Sequence, residues 1–263
     1  SALSFFILIA PLITADATAF NSVATIKELA AEIGTNGAAV VSALNIAGND
    51  VAVSFTDAGV ISAASADAIA DATSGVVTAV VTAGTAAALN AALVDSGAQV
   101  NAYTLTVSDT GSVKATDLTG LDGKTSVAVA TTATDITGSS AEVLAAYVAN
   151  TAGTITGLGN ETVHITGVDA TVANVSAINT ATTGLVTVAE VDTAAGAFSL
   201  TDLGLLAGIT DLATIDATKA LTATQMTITA ADLFAVNDSL GNITLTINAD
   251  AAKDTLNLAG WAK

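Results

Sequence analysis

The chain has no cysteine and no arginine, one proline, one histidine, and aromatics at only 3% of its 263 residues. Without cysteine there is no disulfide framework, no thiolate metal site and no thiol nucleophile, so stability must come from a packed core. Six lysines stand against 24 acidic residues, for a net charge of −18. Nucleic-acid binding needs clustered Lys and Arg to neutralise phosphate, so this balance excludes it and disfavours anionic membrane surfaces. Divalent cations are attracted instead. Charged residues total 11%, and the surface is therefore finished mainly by Thr, Ser, Asn and Gly.

Long apolar runs are also scarce. The densest is FFILIAPLI, Phe5 to Ile13, interrupted by Pro11. It lacks a basic leader and is about half the length a bilayer span requires, so no transmembrane span is expected. The chain begins with Ser1, which reads as a processed product or a fragment. Three roles fit the apolar segment: folding back to cap the first repeat, inserting into a neighbouring subunit by strand addition, or serving as a residual anchor or leader. Behind it, FNSVATIKELAAEIG predicts an amphipathic helix with Ser22 as N-cap and Ile26, Leu29, Ala30 and Ile33 on one face before Gly34.

What the chain has in abundance is repetition. VSFTDAGVISAASADAIADATSGVV begins at Val53, LTVSDTGSVKATDLTGLDGKTSVAV follows about 52 residues later, and VHITGVDATVANVSAINTATTGLVTV starts at Val163. Ile69 and Thr73, Leu121 and Thr125, and Ile178 and Thr182 keep one interval in all three copies. A weaker helix opens at Thr82 and again near Ile136, each behind a Thr or Ser cap. Each copy thus reads as two strand-plus-helix coils of roughly 25 residues, the period range of solenoids.

The expected fold is therefore mainly β with short helices, a parallel β-solenoid. The expected organisation is residues 1–47 as hydrophobic tail and helix, 48–249 as repeats, and 250–263 as a C-terminal cap or junction. Strands are expected at Val51–Thr56, Val76–Thr82, Tyr103–Ser108, Val127–Thr132, Thr162–Thr166, Leu185–Val188, Met226–Thr229 and Ile243–Ile247.

The repeating unit carries turns and packing residues but little reactive chemistry. His164 occupies an alternating strand position with only Glu161 and Asp169 as charged sequence neighbours, which reads as a strand histidine and not as a catalytic base. Polysaccharide-degrading sites combine acids with a cationic group, but Lys114, Lys124 and Lys219 fall in different coils. No phosphate-loop pattern occurs, and Gly59, Gly75, Gly111, Gly123 and Gly184 recur at turns. Asp57, Asp109, Asp122, Asp169, Asp192, Asp216 and Asp238 also lie in turns. Neither the EF-hand spacing nor the glycine-rich calcium nonapeptide is present, so no cofactor is expected and calcium binding is at most weak. Thr-x-Thr pairs at Thr104, Thr154, Thr227 and Thr244 keep an ice-binding face as a minor alternative.

Across residues 51–190, wording such as TDLTGLDGKTSVAVATTATDITGSSAEVLAAYVANTAGTITGLGNETVHITG resembles the Thr/Ala/Asp-rich repeats of large cyanobacterial and marine bacterial surface or secreted proteins. The ending DTLNLAGW is similar to the close of a hemolysin-type secreted repeat region. The resemblance implies an extracellular or cell-surface location. The expected function is a non-enzymatic structural subunit that polymerises with itself, head to tail, into a filament, fibre or surface layer. Phe5, Phe6, Ile7, Leu8, Ile9, Leu12, Ile13, Leu256, Leu258 and Trp261 are the candidate assembly interface. The alternative is an adhesin fragment or binding module with a cation-, carbohydrate- or ice-binding face.

Overall fold

The computed structural model describes residues 25–28, 41–42, 44, 50–55, 59–94, 100–167, 170–188, 190–192, 214–216 and 244–246. The chain divides into two compact units that alternate along the sequence. One comprises Ser1–Asp109, Asp117–Thr132 and Ala149–Gly157; the other comprises Thr110–Thr116, Ala133–Val148 and Leu158–Lys263.

In the first unit, strands β1 (Thr25–Glu28), β2 (Ala52–Phe55), β3 (Val77–Val80) and β4 (Ala102–Thr104) form a parallel sheet in that order. Strand β3 reads VTAV, with Val77 and Ala79 buried and Thr78 and Val80 exposed, the two-residue period of a half-buried strand. Helices α1 (Ala63–Asp71) and α2 (Ala86–Ala92) fill the crossovers that parallel pairing demands. Both begin where the sequence places a hydroxyl: Ser62 Oγ accepts from the Ser65 N–H, and Thr85 Oγ1 from the Ala88 N–H. Helix α1 packs against α2 and β3. The core joins Val53, Val77, Tyr103 and Leu105 with Ala66, Ile69 and Leu89, each 3% exposed or less.

The second unit holds β5 (Ser112–Lys114), β7 (Asp135–Gly138), β9 (Thr162–Ile165) and β10 (Val186–Val188) in one parallel sheet, with β7 and β9 at its centre. One inward residue per strand lines up in register: Val113 beside Ile136, Ile136 beside Val163, and Val163 beside Val186. All four are buried, and each such side chain contributes about 1.5–3 kcal/mol by leaving water. Helix α5 (Val172–Ala181), capped by Thr171, adds buried Val175 and Ile178. A two-stranded sheet of β6 (Val129–Ala130) and β8 (Ile155–Thr156) belongs to the first unit. A three-stranded sheet of β11 (Glu190–Asp192), β12 (Thr214–Asp216) and β13 (Thr244–Thr246) belongs to the second. Helices α3 (Ala115–Asp122) and α4 (Ser140–Ala152) contribute residues to both units.

Two expectations are corrected. The fold is not a mainly β parallel solenoid: the described residues are α/β, with five helices of seven to thirteen residues and the parallel pairing divided among four separate sheets. No closed solenoid is formed among them. The physical reason is that the capped Ala-rich segments, expected as short helices, run for about two to four turns and so form the full crossovers of an α/β arrangement. The helix expected behind Ser22 is likewise not formed at Thr25–Glu28, which is a strand paired in parallel with Ala52–Phe55. Pairing with a neighbour overrides the helical preference of that stretch.

Candidate functional site

The first polar feature follows directly from the repeat. Thr73, Thr125 and Thr182 are each 6% exposed, and the aliphatic residue four positions before each is fully buried. Their hydroxyls do the same thing in every copy. Thr73 Oγ1 donates to the Val51 carbonyl at 2.7 Å, Thr125 Oγ1 to that of Tyr103 at 2.6 Å, and Thr182 Oγ1 to that of Glu161 at 2.9 Å. Each hydroxyl also accepts the N–H two residues on, from Gly75, Val127 and Gly184, at 3.0, 3.1 and 3.0 Å. One side chain thereby ties a helix exit to a main-chain carbonyl 22, 22 or 21 residues earlier. Buried Asn101 plays a related part by accepting the Val77 N–H, 24 residues away, at 2.9 Å.

In the second unit a carboxylate lies beneath one of these latches. Glu161 is fully buried. Both of its oxygens accept from the Gly159 N–H, at 2.8 and 2.9 Å, and Oε2 also accepts from the Tyr147 hydroxyl at 2.9 Å. Burial pushes the Tyr147 phenol well above its ordinary range; a Thr182 hydrogen bond opposes this and the Glu161 charge reinforces it. Tyr147 therefore stays protonated and serves as a fixed donor.

The same sheet presents a polar outer face. Alternation along β9 turns Val163 and Ile165 inward and leaves His164 outward, half exposed. Register sets it between Thr137 on β7 and Thr187 on β10, with Lys114 on β5 next in that row. His164 Nδ1 lies 2.7 Å from Thr187 Oγ1, and that hydroxyl donates to the Val163 carbonyl at 3.0 Å. On the other side of the ring, Nε2 lies 3.5 Å from Asp135 Oδ1. This oxygen is buried and has no hydrogen-bond partner among the described residues. His164 is thus the strand histidine that the alternation implies, but with a carboxylate beside it that sequence reading did not pair with it.

Other residues singled out from sequence have separate tasks. Asp109 Oδ2 accepts the Ala86 N–H at the start of α2, at 2.7 Å, and Asp122 Oδ2 accepts the Thr154 hydroxyl at 3.0 Å. Lys124 donates through Nζ to the Leu93 carbonyl. No group of three His, Asp or Glu side chains converges among the described residues. The candidate interface residues Phe5, Phe6, Ile7, Leu8, Ile9, Leu12, Ile13, Leu256, Leu258 and Trp261 lie outside the described residues, as do Asp57, Asp169, Lys219 and Asp238. Among the described residues, no helix is long and apolar enough to cross a membrane.

No protein-family model, curated protein or solved structure matches this chain.

Proposed function

We propose that this chain is a non-enzymatic structural protein, exported to the cell surface or beyond, whose copies associate with one another. The observation that carries this reading is the threefold recurrence of the threonine latch. A side chain that could serve chemistry is used identically in every copy to tie main chain to main chain. Asn101, Glu161 and Tyr147 are likewise used in internal hydrogen bonds.

Association would draw on parallel sheet edges and on the apolar segments Phe5–Ile13 and Leu256–Trp261. Edge strands offer main-chain donors and acceptors to a second copy. The two edges of a parallel sheet are unlike, so such a contact is heterologous and propagates unless it closes. Sedimentation of the purified chain over a range of concentrations, followed by electron microscopy, tests this. Concentration-dependent polymers are expected, and removal of residues 1–14 should abolish them while leaving a folded monomer. A monodisperse monomer at the highest concentration would overturn the reading.

One observation favours a second reading, that of a binding module. The outward positions of β2, β3 and β4 and their flanks, Ser54, Val76, Thr78, Val80, Val100 and Thr104, carry no charge, and Val76, Val80 and Val100 are 40%, 38% and 51% exposed. Such a face suits a flat neutral surface such as ice or an uncharged polysaccharide. Thermal hysteresis, or retention on an uncharged polysaccharide, lost on Thr78→Asp would favour this reading.

A further inference from the structure

We propose that His164 and Asp135 form a binding site for a divalent transition-metal ion of the zinc class. The inference starts from proton accounting. Thr187 Oγ1 has one proton and directs it to the Val163 carbonyl, so its 2.7 Å contact with His164 Nδ1 has the imidazole as donor. Protonation at Nδ1 leaves a lone pair on Nε2 in the neutral ring. That lone pair faces Asp135 Oδ1, itself an acceptor that is buried and lacks a hydrogen-bond partner among the described residues. Two acceptors in apposition are stabilised by an electropositive group between them, either a proton on Nε2 or a metal ion.

The spacing suits a metal ion. With ligand bonds of about 2.0–2.1 Å to imidazole nitrogen and carboxylate oxygen, the 3.5 Å separation of Nε2 and Oδ1 subtends an angle of about 115° at the ion, near the tetrahedral value. Thr187 supplies the outer partner that orients a ligating histidine through its other ring nitrogen. The His164 side chain is 50% exposed, and water would fill the remaining coordination positions on that side. An imidazole donor selects zinc-class ions over magnesium and calcium, and a chain of net charge −18 concentrates cations around it. Two protein ligands make the site an open one, unlike a closed structural zinc centre.

His164 is the only histidine, so both ring nitrogen signals belong to it, and couplings to the ring protons distinguish Nδ1 from Nε2. The 15N-labelled full chain is titrated with Zn2+ in excess Mg2+, which occupies the scattered carboxylates. The Nε2 signal is expected to shift in a saturable, one-to-one manner. Asp135→Asn should weaken binding at least about tenfold, and Thr187→Val by about 10-fold or more through loss of ring orientation. Circular dichroism checks that both variants are folded. Ring signals that ignore Zn2+ but move with acid would assign the pair to a shared proton and overturn the proposal. An affinity unchanged by Asp135→Asn would also overturn it.

Discussion

Thr182→Val exchanges a hydroxyl for a methyl of nearly the same shape at a position that is 6% exposed. Its hydroxyl donates to the Glu161 carbonyl at 2.9 Å and accepts the Gly184 N–H at 3.0 Å. Each buried polar group that loses its partner costs about 1–3 kcal/mol. The added methyl returns at most about 0.8 kcal/mol of burial. With two groups orphaned, the net loss is then about 1–5 kcal/mol, a large share of the roughly 5–15 kcal/mol that holds a typical domain together. Urea unfolding should show a lower midpoint with an unchanged slope. Thr182→Ser keeps the hydroxyl and should stay within about 1 kcal/mol of the parent. Thr73→Val and Thr125→Val should lose similar amounts, because those residues make the same pair of bonds. Valine variants as stable as the parent would refute the reasoning, as would serine variants that fall equally far.

Gly184→Ala should destabilise by about 1–3 kcal/mol or more, since a Cβ there would sit 2.0 Å from the Glu161 carbonyl oxygen. Gly75→Ala meets Val51 main chain at 2.3 Å and should behave alike; thermal melts of both variants check this. In the middle copy the matching position is already Val127, 36% exposed, so Val127→Ala should be nearly silent in the same melts. Tyr147 has its phenol raised above the ordinary value of 10.0, first by burial. The unfolded chain therefore releases this proton at lower pH than the folded one, and the stability it contributes is present below about pH 10 and lost as pH rises beyond it. Alkaline unfolding curves of Tyr147→Phe should lack that component. At the start of α4, a hydrogen bond from the Ser139 N–H at 2.8 Å holds the Glu142 carboxyl below its ordinary value of 4.5. Its contribution is present at neutral pH and lost as pH falls through the lowered value, so Glu142→Gln should flatten the acid limb of the unfolding curve.

Much of the local structure was legible because alternation and caps are short-range signals. Val76–Thr82, Tyr103–Ser108 and Thr162–Thr166 were expected as strands, and strands stand at Val77–Val80, Ala102–Thr104 and Thr162–Ile165. The expected cap opening near Ile136 is a capping box, in which Ser139 Oγ accepts the Glu142 N–H and the Glu142 side chain accepts the Ser139 N–H. Ser112–Lys114, Asp135–Gly138 and Ile155–Thr156 were missed. Each turns a single aliphatic residue inward, Val113, Ile136 or Ile155, and one such residue defines no period. The class is not legible because a capped Ala-rich stretch reads as a short helix whatever its final length, whereas α4 runs for 13 residues.

The candidate metal site was illegible for a different reason. Alternation puts His164 on an outer face, but its neighbours are decided by strand register. Matching the two Ile-Thr-Gly runs, Ile136–Gly138 and Ile165–Gly167, would have set Asp135 level with His164. The actual register pairs Asp135 with Thr162 and Thr137 with His164, so the carboxylate approaches the imidazole along a diagonal. Diagonal neighbours on adjacent strands stand about 7–8 Å apart at the backbone, within reach of a side chain as long as histidine. The latches are the opposite case: their interval is visible in sequence because the same bond must be remade in every copy. A chain without disulfides and with few rings needs such bonds, since each secures a helix exit that small apolar side chains alone hold weakly. Their fixed spacing follows from the geometry of one hydroxyl spanning one carbonyl and one N–H. A residue free of that constraint, such as His164, leaves no repeating trace, and so a binding function on this scaffold is to be sought where the repeats differ.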